Sequence, residues 1–123
     1  MKSYTDLEQS RKLAEILPLE SADMIYIPMM DIDSMSNSGF FDIPECYPFN
    51  EFKDSDTKPL PCWSLAALLE YMNRNFYNIS LNYCGSEYTI SFNDSEKYKT
   101  ITKDYSIDAV FEMVIWLKEN NRL

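Results

Sequence analysis

Pro61-Cys62-Trp63 and Asp31-Ile32-Asp33 are the two places in this 123-residue chain where side-chain types and spacing suggest chemistry. Cys62 stands just before an expected helix start, where unpaired amides and the helix dipole lower a thiol pKa and favour the nucleophilic thiolate. The chain contains no histidine. That removes the Ser-His-Asp triad, the Cys-His pair, the H-E-x-x-H zinc site and the commonest general base together. Lys58 is the only cation near Cys62 in sequence. The simpler reading, a buried structural thiol beside a core tryptophan, is therefore preferred. Asp31 and Asp33, with Asn37 and Asp42, offer oxygen ligands to magnesium or calcium. An EF-hand loop, however, needs Asp or Asn at its fifth position and glycine at its sixth, where Met35 and Ser36 stand. A solvated acidic loop is the expectation, with no metal. Gly39 and Gly85 are the only glycines, too few for the backbone loops that cradle phosphates. No catalytic residue and no cofactor are assigned, and an enzyme working through a carboxylate pair or a metal is the least favoured class.

Charge and aromatic content point elsewhere. The net charge is −9, which disfavours direct nucleic-acid binding, because affinity for phosphate backbones comes chiefly from Lys and Arg displacing counterions. From Glu20 to Asp56 there are nine acidic residues against Lys53 alone, so nearly all of the net charge falls in this stretch. The same stretch carries Met29, Met30, Met35, Tyr47 and four phenylalanines. Acidic side chains steer a basic surface, and Phe, Tyr and Met supply the apolar contacts that carry binding energy. Asp31, Asp33, Phe40, Phe41, Asp42, Phe49 and Phe52 are thus the candidate partner-binding residues. The competing expectation is that the aromatics point inward and pin the segment to the core while the carboxylates only solubilise it.

The elements that must position these residues follow from spacing. Thr5 with Glu8 reads as a capping box at the head of a helix over 5–17, whose Leu7, Ser10, Leu13, Ala14 and Leu17 recur at helical spacing until Pro18. Met24 to Ile27 reads as a short strand. From about 29 to 60 no period is sustained and prolines recur, so a long irregular segment is expected. Ser64 caps a helix over 64–73 with Leu65, Leu68, Leu69 and Met72 on one face. "NISLNYCGSEYTISFN" alternates about Gly85-Ser86, predicting a hairpin over 78–93 in which Cys84 faces Glu87, Tyr83 faces Tyr88, Leu81 faces Ile90 and Ile79 faces Phe92. Lys97 to Lys103 reads as a third strand whose lysines protect an edge. Ser106 caps a last helix over 106–120 with Ile107, Val110, Phe111, Val114 and Leu117 in a stripe. Together these make one α+β domain, 1–123, with a small antiparallel sheet packed against about three helices. Cys46, Cys62 and Cys84 form no C-x-x-C and read as reduced thiols. No apolar run is long enough to span a bilayer, and the first residues have no signal-peptide core, so a cytoplasmic location is expected.

Three stretches, "YTDLEQSRKLAEILPLESADM", "PCWSLAALLE" and "SIDAVFEMVIWLKENNRL", resemble a group of small uncharacterised proteins of gut Bacteroides-type bacteria and their phages or other mobile elements. The resemblance carries no activity and no site residue onto this chain. It implies a setting, that of an intracellular accessory protein of a mobile element. The functional expectation is a non-enzymatic protein-interaction module. The alternative is an acidic nucleic-acid mimic that inhibits a basic DNA-binding protein.

Overall fold

Alternation about Gly85-Ser86 is realised as the centre of a three-stranded antiparallel sheet. The computed structural model describes residues 2–28, 40–41, 43–46, 59–75 and 78–123. Among them the order is α1 (Leu7–Ala14), a 3-10 turn (Leu19–Ser21), β1 (Met24–Tyr26), β2 (Leu60–Cys62), α2 (Leu65–Asn75), β3 (Ile79–Cys84), β4 (Glu87–Asn93), β5 (Tyr98–Lys103) and α3 (Ser106–Glu119). This is the expected α+β arrangement. β3 and β4 pair in the expected register, from Cys84 opposite Glu87 to Ile79 opposite Phe92. Gly85 has a φ of +68°, a left-handed conformation that a side chain disfavours, at the first central position of the two-residue loop. β5 then pairs with β4, setting Ile101 opposite Ile90 and Lys99 opposite Phe92.

One face of this sheet is covered by α3, which packs chiefly on β4 and β5. Ile90, Phe92, Ile107, Val110, Met113, Val114 and Leu117 join Leu13, Leu17, Trp63, Leu68 and Met72 in the main core. Burial is not uniform across the face. Ile90 is fully buried, but Tyr83, at the hairpin tip and on the same face, is 62% exposed and leans on Tyr88, with ring centroids 4.8 Å apart. The alternation of the hairpin sorts faces, while the reach of α3 decides how far along the strands that face is dry.

A second, smaller sheet arises where the irregular segment was expected to run to residue 60. β1 pairs antiparallel with β2, Met24 opposite Cys62 and Tyr26 opposite Leu60. β2 was hidden in the sequence by its length of three residues and by Pro61 at its centre, since proline ordinarily argues against a paired strand. Residues 3–5 lie alongside the continuation of β2. Thr5 N–H donates to Trp63 O at 2.9 Å, and Leu65 N–H donates to Ser3 O at 2.9 Å.

That pairing moves the cap of α1. Thr5 does not cap the helix and Glu8 is not its capping partner. Asp6 is the N-cap: its Oδ1 accepts from Gln9 N–H at 2.8 Å, and its own N–H donates to Gln9 Oε1 at 3.1 Å. The reason is that the Thr5 hydroxyl is fully buried and already engaged. Its Oγ1 accepts from Trp63 N–H at 3.1 Å and lies 2.8 Å from Ser10 Oγ. Thr5→Val keeps the shape but leaves the buried Trp63 N–H without its acceptor, an expected loss of about 1–3 kcal/mol. Thr5→Ser should lose less than that, and urea denaturation of the two variants side by side checks it. At the other end of the chain, Ser106 does not cap α3 either. Tyr105 occupies the N-cap position with no side-chain hydrogen bond, and Ser106 is buried as the first helical residue. Instead, α3 and α1 are tied together through Asp108, whose Oδ1 accepts from Lys2 Nζ at 2.7 Å and from Gln9 Nε2 at 2.9 Å. Burial pushes the Asp108 carboxyl upward, and the Lys2 ammonium with the Gln9 amide outweighs it, so its pKa lies below the ordinary value.

Candidate functional site

Ser64 does cap α2, its Oγ accepting from Ala67 N–H at 3.1 Å. The residue two places earlier, Cys62, is therefore near a helix start, as expected, but its thiol is not presented there. Cys62 is fully buried in a small cluster with Met24 and Tyr26, and its Sγ lies 3.4 Å from Thr5 O and 3.6 Å from Thr5 Oγ1. Burial pushes its pKa up to about 11, against the lowering effect of hydrogen bonds from Thr5 and Ser10. The neighbouring Tyr26 hydroxyl donates to Thr5 O at 2.7 Å and is itself raised, mainly by burial. These polar groups close on one another inside the smaller core. Desolvation wins over the helix dipole, so Cys62 serves packing and presents no thiolate to solvent.

β1 has a second edge, and the candidate partner-binding stretch is fastened to it. Ile25 N–H donates to Glu45 O at 2.9 Å and Glu45 N–H returns to Ile25 O at 2.8 Å. Phe41 N–H donates to Ile27 O at 3.0 Å, and Phe40 bridges Pro28. Phe40, Phe41 and residues 43–46 thus form a strip along β1, as if to extend the small sheet. Its side chains divide between two destinations. Phe40 is half-buried against Tyr26, Met24 and Cys62, and the Arg11 guanidinium stands over its ring at 5.8 Å from the centroid. Such placement over an aromatic face is attractive. Phe41 is 51% exposed and Ile43 is 75% exposed. Pro44 turns back into the protein and is buried.

Of the seven expected partner-binding residues, Phe40 and Phe41 are therefore on one strip, the first facing the core and the second facing water. Asp31, Asp33, Asp42, Phe49 and Phe52 lie outside the described residues, as does Asn37. Ile43 is an exposed apolar residue of the strip that the emphasis on aromatics does not reach. Its signal is present in "FDIPE", where apolar side chains flank an acid just before a proline.

Two clefts adjoin this region. One, of 450 Å³, is mostly apolar, with Tyr4, Met24 and Leu65 in its walls, Asp23 among its polar groups and the exposed Cys46 beside them. The other, of 370 Å³, lies between the 3-10 turn and α2 and is acidic, with Glu20, Asp23 and Glu70 facing Arg74. Two of its three carboxylates are already occupied. Asp23 accepts from both the amide and the hydroxyl of Ser64, and Glu70 pairs with Arg74. Among the described residues no group of three His, Cys, Asp or Glu is placed to hold a metal ion, and no helix is long and apolar enough to cross a membrane. No protein-family model matches the chain, and neither the curated proteins nor the solved structures offer a significant match.

Proposed function

We propose that this chain is a non-enzymatic protein-interaction module that engages its partner through the 29–60 segment, with Phe41 and Ile43 as apolar anchors. The observation that carries the reading is their exposure on a strip held by paired main-chain hydrogen bonds to β1. A large apolar side chain kept in water beside main-chain groups that are already hydrogen-bonded has less backbone freedom to lose when it is covered, which is the property of an interface anchor. Glu45 on the same strip, and the acidic residues of the surrounding sequence, would steer a basic surface toward it. Support comes also from what the chain cannot do alone: it has no histidine, and its one buried thiol is held neutral. The setting implied by the sequence resemblance, an accessory protein of a mobile element, belongs to the same proposal.

A basic protein co-purified from the producing bacterium with the tagged wild-type chain is expected to be lost with Phe41→Ala/Ile43→Ala, by at least about tenfold in affinity if the pair forms a hot spot. The unfolding midpoint should stay within error of wild type, because both side chains are exposed. Equal capture by the double variant would overturn the reading. If capture instead collapses with modest added salt and is indifferent to the two apolar substitutions, the nucleic-acid mimic becomes the better account.

A further inference from the structure

Among the described residues β3 is an outer strand of the larger sheet, and its two sides differ in what they offer. Asn93 N–H donates to Asn78 O, and the antiparallel register continues from there to Cys84 opposite Glu87. In such a ladder alternate residues turn their main-chain groups toward the partner strand. Asn78, Ser80, Asn82 and Cys84 therefore face β4, and the amides and carbonyls of Ile79, Leu81 and Tyr83 point away from it. Among the described residues nothing pairs with them. The opposite edge of the sheet, β5, carries Lys99 and Lys103 and is preceded by Lys97, the charge pattern that protects an edge from pairing. β3 has no such protection. "NISLNYC" contains no charge, no proline and no glycine, the composition of a segment ready to add a strand.

We infer that β3 is a self-association edge, and that its occupant is β3 of a second copy of this chain, running antiparallel about a two-fold axis at Leu81. Three observations select a second copy. The pattern of polar and apolar residues from Ile79 to Tyr83 is a palindrome centred on Leu81. Pairing Leu81 with Leu81 therefore sets Ile79 opposite Tyr83 twice over and Ser80 opposite Asn82 twice over, with apolar side chains meeting apolar on one face and amides and hydroxyls meeting on the other. The same register puts each outward amide and carbonyl opposite its counterpart, because the outward residues 79, 81 and 83 form the hydrogen-bonded pairs of the new ladder. Finally, Ile79 and Leu81 are only half-buried although they pack against the main core, and Tyr83 is 62% exposed, so a strand added at this edge would cover apolar surface that the fold leaves in water. Charge supports the choice of edge. Two copies of a chain with net charge −9 repel, and an uncharged strand is where they approach at least cost. The lysines of β5 close off the head-to-tail alternative, so the association ends at two copies.

The test is a charge swap at the exposed polar face. Ser80→Lys/Asn82→Lys sets lysine opposite lysine at both polar pairs of the proposed register, and Ser80→Asp/Asn82→Asp does the same with carboxylates. Wild type should sediment as a concentration-dependent dimer. Each double variant should weaken the dimer by roughly tenfold or more, since like charges directly opposite are destabilising. An equal mixture of the two should recover a heterodimer of at least wild-type affinity. Both side chains point into solvent, so circular dichroism and thermal midpoint should change little. A wild type that is monomeric into the high micromolar range overturns the inference, as do variants that dimerise as well as wild type or a mixture that gains nothing. If a variant fails to fold, hydrogen exchange on wild type decides: raising the concentration should protect the amides of Ile79, Leu81 and Tyr83, and unchanged exchange there overturns the assignment.

Discussion

Trp63→Ala should lower the free energy of unfolding by about 3–5 kcal/mol, the range for removing a fully buried large aromatic. For a domain whose total stability is about 5–15 kcal/mol, that is enough to leave the protein marginal. The size of the effect comes from where Trp63 sits. Cys62 and Trp63 are neighbours in sequence but fill different cores, the thiol in the small cluster with Met24 and Tyr26, the indole in the main cluster with Leu13, Leu68 and Met72. The indole is fully buried, and its Nε1–H donates to Ser21 Oγ at 2.9 Å, which fastens the 3-10 turn. The main-chain groups of Trp63 are paired with Thr5 on both sides. An alanine there leaves a cavity at the junction of both sheets with α1 and α2. Trp63→Phe, which keeps most of the volume and loses the Ser21 hydrogen bond, should lose only about 1–2 kcal/mol. Urea unfolding of the three proteins checks the order; equal midpoints for alanine and phenylalanine would show that the ring volume is not what joins the two cores.

Cys62 should react with a small thiol reagent at least about a hundredfold more slowly than Cys46 or Cys84 in the native protein, and at a comparable rate after denaturation. A pKa raised from 9.0 to about 11 leaves roughly a hundredfold less thiolate at any pH below both values. Burial adds the requirement that the fold open locally before the reagent can enter. The same shift links the thiol to stability, and the sign follows from which form the fold prefers. The native state favours the neutral thiol, so its pKa is higher folded than unfolded. The contribution is complete below about pH 9 and is lost as pH rises through about 11. A rise of that size corresponds to about 2–3 kcal/mol at most. Tyr26 is shifted in the same direction, so its contribution also disappears on the alkaline side, at higher pH. Stability measured in urea should therefore fall between about pH 9 and 11 more steeply for wild type than for Cys62→Ala. Parallel curves for the two proteins would remove the linkage, and rapid labelling of native Cys62 would return it to the list of candidate nucleophiles.

The contrast between Cys62 and the hairpin shows which kinds of information a linear pattern carries. Local rules govern β3 and β4: strict alternation, a glycine where the turn needs a positive φ, and a register that a one-residue slip would ruin. Those rules act between near neighbours and can be read directly. The apolar stripes of α2 and α3 are legible for the same reason. The capping of α1 is not, although both Thr5 and Asp6 are good caps with a suitable residue three places on. The choice between them is made by β2 and the residue that follows it, more than fifty residues away, which draw the Thr5 hydroxyl into the core and leave Asp6 for the helix.

The residues of the candidate site divide along the same line. That the stretch around Phe40 and Phe41 is acidic and rich in large apolar side chains is a property of composition, and it is enough to name a region. Which of these side chains meets water depends on how the strip lies against β1, and main-chain pairing of Ile25 with Glu45 and of Ile27 with Phe41 decides it. The sequence by itself determined the class of fold, the register of the hairpin and the absence of histidine chemistry, because these rest on residue identity and short-range periodicity. Tertiary structure alone decided which groups desolvate and bond the Cys62 thiol, that Phe40 turns inward while Phe41 and Ile43 face out, and that among the described residues no strand pairs with the outer edge of β3. Those outcomes depend on desolvation and on main-chain pairing between segments far apart in the chain, and no local pattern encodes either.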